Sequence, residues 1–257
     1  MKYLLSIIFL STLFEVVSQQ RVAVSYFDVG RLYDTVPSPF YDDKAYTPKG
    51  RYRWSQGRYR DEIERVTAVI DSMRFPIVAI YGVENEGVVR DIVELSNQDY
   101  SYIHRDLDYY DGLDFALLYY GDQLFLQSIV HNNTWLYISG EMFGVTIDIN
   151  LTRRGDKIRT ISPPNNNPPS DITLLVGQRL YRGDIYRLGM VDLLRDTELK
   201  GGGDTRGDKG WYLNSRFGAI SNLPISRSGI YITDWLINQN MFKPHLPQFV
   251  IFDVEGN

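Results

Sequence analysis

Apolar and polar positions along the chain recur with two different periods. Val22 to Phe27 alternates apolar and small residues as a strand does, and a loop rich in Pro, Asp and Tyr follows as far as Gly50. Tyr59, Ile63, Val66, Ile70 and Met73 then recur every three or four residues, which predicts a helix with one packed face. Arg58, Asp61, Glu62 and Arg65 are spaced to pair along its solvent side. The apolar run Ile77 to Tyr81 predicts a buried strand, and Val88, Val89, Ile92 and Val93 predict a short helix behind it.

From Asp114 the pattern becomes strand-rich. Phe115 to Tyr120, Leu124 to Val130, Trp135 to Ser139 and Val145 to Asn150 are separated by the turn formers Gly121-Asp122, Asn132-Asn133 and Gly140, which predict hairpins. Ser162 to Ser170, with its prolines and asparagines, reads as a loop, and Ser170 is placed to cap a helix containing Ile172, Leu175, Val176 and Leu180. A strand near Ile185 to Val191, a mobile loop at Gly201, Gly202 and Gly203, and a closing strand from Phe249 to Val254 complete the order. No repeat or linker divides the chain, so one layered domain over residues 19–257 is expected.

Composition narrows this picture. The chain has 257 residues, 44% hydrophobic and 23% charged, which suits a folded domain with one sizeable core. Lys2, the apolar run Tyr3 to Phe14 and the small or apolar residues Val16, Val17 and Ser18 have the layout of an export signal, so residues 1–18 are set apart from the fold. The apolar run is shorter than the roughly 20 residues needed to span a bilayer, and no transmembrane span is expected once it is removed. The mature protein is therefore expected to be exported, either periplasmic or secreted. It has no cysteine, so no disulfide framework forms. A net charge of -5 argues against general affinity for nucleic acid. Arg51, Arg53, Arg58 and Arg60 around Trp54 read equally as a phosphate-facing patch and as a solvated helix start with cation–π packing.

Several segments resemble, in order, the endonuclease/exonuclease/phosphatase superfamily, especially its exported bacterial branch. Val24-Ser-Tyr-Phe-Asp-Val-Gly-Arg-Leu-Tyr-Asp34 resembles the family's first strand, F-W-N-V-E-N-L-F-D. Thr47-Pro-Lys-Gly-Arg-Tyr-Arg-Trp54 is similar to the segment before its first helix, and Val83-Glu84-Asn85 to its Q-E-V-E-N. Asp111-Gly-Leu-Asp-Phe-Ala-Leu-Leu-Tyr119 resembles G-I-D-V-A-L-L-Y, Thr152-Arg-Arg-Gly155 resembles H-W-P-S-R-R-G, and Pro244-His-Leu-Pro247 resembles the closing S-D-H-x-P. The resemblance spans nearly all of the mature chain and implies an α/β fold, a four-layer sandwich of two mixed β-sheets flanked by helices. It also implies Mg²⁺-dependent cleavage of phosphodiesters or phosphomonoesters, with a His and an Asp preparing the attacking water.

The chain departs from that pattern where the chemistry would lie. Aligned on these motifs, the family's metal-binding Glu falls on Gly82 and its first-strand Asn on Asp28. The Asn and His of its central N-H motif fall on Asp148 and Ile149, its D-x-N pair on Met190 and Asp192, and the Asp of S-D-H on Pro244. From that set only His245 is retained as a candidate base, and it reads equally as a scaffold residue held by hydrogen bonds. Asp114 is expected to orient groups at the pocket floor, and Arg153 with Arg154 to meet an anionic ligand or to be surface charge. His104 and His131 are read as lacking nearby partners.

Two readings follow from the resemblance. In one, the fold is a catalytically degenerate module that binds a protein partner or an anion and needs no cofactor, or serves as a structural subunit beside an active relative. In the other it remains a Mg²⁺-dependent hydrolase whose metal site has moved to Glu84, Asp28 and Asp192. Arg-Gly-Asp at Arg154, Arg182 and Arg206 is read as turn chemistry rather than adhesion. The sequons at Asn132 and Asn150 matter only in a cell that glycosylates its exports.

Overall fold

The computed structural model describes residues 20–107, 109–153, 169–178, 180, 182–193, 215–231 and 246–254. The first strand, β1 (Arg21–Leu32), continues well beyond the predicted Phe27 because its register with the next strand shifts between Asp28 and Leu32 and then resumes. Helix α1 (Gln56–Met73) begins at Ser55, whose hydroxyl accepts the Arg58 N–H, and its apolar stripe is buried as the periodicity predicts. It ends at Arg74 in the left-handed conformation. Glu62, expected on the solvent side, is instead buried, and it pairs with Arg65 one turn on.

Strand β2 (Ile77–Val83) is buried on both faces. Asn85 then caps α2 (Glu86–Leu95), which packs against α1. Strand β3 (Tyr100–His104) precedes β4 (Asp114–Tyr120), and these strands build one sheet with β11 (Ile225–Ile230) and β12 (Gln248–Asp253), in the order β11-β12-β1-β2-β4-β3. Only β1 and β2 pair in parallel there.

The second sheet holds β5 (Phe125–Asn132), β6 (Trp135–Met142), β7 (Val145–Thr152), β8 (Ile172–Gln178), β9 (Val191–Asp192) and β10 (Ser215–Ser221), in the order β5-β6-β7-β8-β10-β9. Here β7 and β8 are the parallel pair. The sheets lie face to face, with β1 and β2 meeting β8, and one apolar core joins residues of both. Two mixed six-stranded sheets with α1 and α2 packed outside the first form the expected α/β sandwich. Among the described residues no helix is long and apolar enough to cross a membrane.

Several local expectations are corrected. Ile172 to Gln178 is a strand rather than a helix, because Ile172, Leu174 and Val176 enter the main core while Leu175 packs on the other face with Leu180, Ile185 and Met190. An apolar run buried on both faces loses the alternation that marks a strand. The strand expected near Ile185 to Val191 is helix α3 (Arg182–Arg187) followed by the two-residue β9. Gly121-Asp122 does not close a hairpin, since β4 and β5 belong to different sheets. Gly140 lies inside β6 opposite Ile147, and the turn after β6 uses Phe143 and Gly144, both at positive φ. Arg182-Gly183-Asp184 opens α3 rather than making a turn, and the other two Arg-Gly-Asp triplets lie outside the described residues, as do residues 1–18 and Gly201 to Gly203.

Candidate functional site

The C-terminal ends of β1, β2 and β7 and the start of β4 converge at one end of the sandwich. There β1 and β2 both leave regular pairing, at Gly30 (φ +88) and Gly82 (φ +97). The two glycines touch: a Cβ on Gly82 would lie 2.5 Å from the Gly30 carbonyl oxygen, which no side chain tolerates. Asp28 is buried beside this crossing, and its Oδ1 accepts the Gly30 N–H at 2.9 Å.

Because β2 ends at Val83, Glu84 follows the strand rather than continuing its alternation. Its Oε2 accepts the Asp34 N–H at 2.6 Å and its Oε1 accepts the Tyr41 hydroxyl at 3.0 Å. Asn85 Nδ2 donates to Asp34 Oδ2, so the loop after β1 is tied to the end of β2 at several points. Burial pushes the Glu84 carboxyl up to about 8, and the Asp34 charge adds to this against the hydrogen bond from the Asp34 amide.

Arg153, the residue after β7, is buried and crosses toward the first sheet. Its Nη1 and Nη2 donate to Asp111 Oδ1 and Oδ2 at 2.5 and 2.7 Å, a two-pronged pair. The guanidinium also stands over the rings of Tyr109, Tyr81 and Tyr110, 4.6, 5.3 and 5.6 Å from their centroids. Burial opposes its charge, but the Asp111 hydrogen bonds and charge, together with Tyr81 and Tyr109, outweigh it and raise the Arg153 pKa. Arg153 is thus no surface charge, contrary to one of its two sequence readings. Tyr33 donates its hydroxyl to the Asp111 carbonyl, and the Tyr41 ring lies where a side chain on Gly112 (φ +64) would stand. These contacts lock the loop after β1 to the loop before β4. Phe40 and Tyr110, on those two loops, are 91% and 77% exposed.

The remaining positions lie elsewhere. Asp148 and Ile149 are neighbours in β7 and face opposite ways: Ile149 enters the core between the sheets, while Asp148 accepts the Tyr137 hydroxyl at 2.8 Å. Met190 packs in the satellite cluster, and Asp192 is buried in β9 opposite Gly218. Arg154, Pro244 and His245 lie outside the described residues. Among the described residues, Glu84, Asp28 and Asp192 do not converge as a metal-ligating group.

One such group does form, and it was not anticipated. His104, Asp106 and Asp114 each offer a ligand atom, and those atoms lie within 4.8 Å of one another. Asp114, buried at the start of β4, accepts the Leu107 N–H through Oδ1 at 3.1 Å, and burial pushes its carboxyl up to about 7. His104, read as lacking nearby partners, has Asp106 two residues away and Asp114 across the β3–β4 connection. His-x-Asp at the end of a strand was the signal available in the sequence. Asp111 and the tyrosines around Arg153 carried none, because tyrosine is common throughout this chain.

The Endonuclease/Exonuclease/phosphatase family matches residues 23–149. Among solved structures, an endonuclease/exonuclease/phosphatase from Bacteroides vulgatus superposes with a TM-score of 0.60 at 12% identity, covering 92% of this chain and 100% of its own. A humanized TDP2 from D. rerio gives 0.58 at 10%, covering 91% and 99%, and the mannosyl-6-phosphatase Bt3783 of Bacteroides thetaiotaomicron gives 0.54 at 10%, covering 90% and 100%. No curated protein matches. The span from β1 through most of β7 carries the sequence match, and the superpositions extend over nine-tenths of the chain. Over residues 23–149 this chain carries the sequence pattern of the endonuclease/exonuclease/phosphatase family, and its fold is the one that these solved structures share.

Proposed function

We propose that this protein is a catalytically degenerate member of its family, exported from the cytoplasm and acting as a binding or scaffold module for a protein partner. One observation carries the reading: Gly82, where the family's metal-binding Glu falls by resemblance, has a positive φ and no room for a Cβ against Gly30. The residues nearby do not fit Mg²⁺, which demands near-octahedral oxygen ligands. Both Glu84 oxygens accept protein hydrogen bonds, and Ile149 offers only hydrocarbon where the family has its His.

The choice of a protein partner over an anion rests on Arg153. Asp111 already takes the guanidinium with both carboxylate oxygens, so an incoming anion would have to displace a buried partner. The exposed Phe40 and Tyr110 on these two loops suit a protein surface, because aromatic side chains supply large contact area at low entropic cost.

The test is a titration of the purified protein with Mg²⁺ and Mn²⁺ during nuclease, phosphodiesterase and phosphomonoesterase assays. No metal-dependent turnover is expected. A robust rate that requires the metal and disappears in His245→Ala would overturn the reading and restore an active hydrolase with a relocated site.

A further inference from the structure

We propose that His104, Asp106 and Asp114 form a structural site for a divalent cation of the Zn²⁺ type, which fastens the connection between β3 and β4. The strand register brings two of the three together. His104 pairs with Ala116 across the β3–β4 ladder, and Asp114 lies two residues from Ala116, on the same face of the sheet. The third ligand, Asp106, is exposed on the connection itself and can adjust its side chain.

A second observation points independently to a ligand here. His104 is only 8% exposed, and its Nε2 is enclosed without a hydrogen-bond partner. Leaving a buried polar nitrogen unpaired forfeits its hydration with no return, so native structures rarely do so without cause. A cation at this cluster gives the imidazole the coordination that the protein omits.

The donor set selects the ion. One imidazole nitrogen and two carboxylate oxygens suit a borderline transition metal, whereas Mg²⁺ and Ca²⁺ prefer oxygen alone. Ligand atoms around tetrahedral Zn²⁺ stand about 3.4 Å apart. The present separations, none above 4.8 Å, close to that with a small movement of Asp106. The Leu107 N–H holds the Asp114 carboxylate from behind, as an outer-shell donor does at a metal site.

The connection so fastened also carries Asp111, the partner of Arg153. A bound cation would hold in place the loop that reaches across to the second sheet, in a chain with no cysteine to make a disulfide staple. Binding of a cation here does not depend on whether the family's cleft is active.

The experiment is calorimetric titration of the whole protein, stripped by a chelator, with Zn²⁺ and with Mg²⁺, accompanied by thermal unfolding. One Zn²⁺ per chain and a higher Tm with Zn²⁺ are expected, with Mg²⁺ unable to compete at equal concentration. Asp106→Asn, at an exposed position that leaves the fold intact, should weaken Zn²⁺ binding at least about tenfold and remove the rise in Tm, and His104→Ala should do the same. Zn²⁺ binding of wild-type strength in Asp106→Asn, Mg²⁺ taking the site as readily, or no Zn²⁺ bound by the folded wild type would each overturn the proposal. Calorimetry gives this answer whether or not the protein hydrolyses anything.

Discussion

Arg153 and Asp111 face each other as a closed two-pronged ion pair, bonded at 2.5 and 2.7 Å, that joins the end of β7 to the loop before β4. Both side chains are largely withdrawn from water. Removing one partner strands the other charge, so Arg153→Ala should cost about 3–5 kcal/mol in urea unfolding. Adding Asp111→Asn to Arg153→Ala should then cost little more. Additive losses in that double-mutant cycle would mean that the two residues are not coupled.

Gly82→Glu restores, on paper, the acidic ligand of the family. It should instead destabilise the protein by more than about 2 kcal/mol, because the positive φ and the Gly30 carbonyl both exclude a side chain. Thermal unfolding measures the loss. A stable Gly82→Glu protein that gained Mg²⁺-dependent phosphodiesterase activity would contradict the local geometry.

Ile149→His makes the corresponding attempt at the central motif. Ile149 is 1% exposed, inside the apolar core between the sheets, and a neutral imidazole there would find hydrocarbon on every side. A loss of about 2–4 kcal/mol is expected, with no turnover acquired. An unchanged urea midpoint would show that the ring reaches solvent.

Glu84 sets a pH dependence. An acid whose folded pKa is raised, here to about 8 against an ordinary 4.5, holds more protons folded than unfolded between those values. Its contribution to stability is therefore full below pH 4.5 and lost as the pH climbs through 8. Asp114, pushed up to about 7, acts in the same direction. Urea midpoints should fall from pH 5 to pH 9, and Glu84→Gln should flatten that slope without abolishing it. A slope unchanged in Glu84→Gln would place the responsible groups elsewhere.

Where the two faces of a segment differ in polarity, its pattern was readable: α1 shows its stripe through Tyr59, Ile63 and Val66, and β7 alternates the core residues Ile147, Ile149 and Leu151 with the polar Asp148, Asn150 and Thr152. Where both faces are covered, as at Leu174 and Leu175 of β8, apolar residues occupy every position and the period vanishes. The candidate site divides along similar lines. Glu84 and Arg153 stood out through resemblance to short motifs, but their partners Tyr41 and Asp111 are set by loops that approach only in three dimensions. Gly82 stood out by resemblance, as the position on which the family's metal-binding Glu falls. That it also accommodates a backbone crossing with Gly30 could not be read from the order of residues, because a positive φ and a close approach are properties of the folded chain.

The seating of Tyr41 against Gly112 has a bearing on any partner that docks at this end of the sandwich. With no side chain at position 112, the Tyr41 ring occupies the space that a Cβ would take. A single methyl group there would act as a wedge, pushing the Tyr41 ring aside and detaching its hydroxyl from Glu84. The approach of the loop after β1 to the loop before β4 is therefore governed by the smallest residue between them, and a drift from Gly112 to alanine in related chains would mark a different spacing of the two loops.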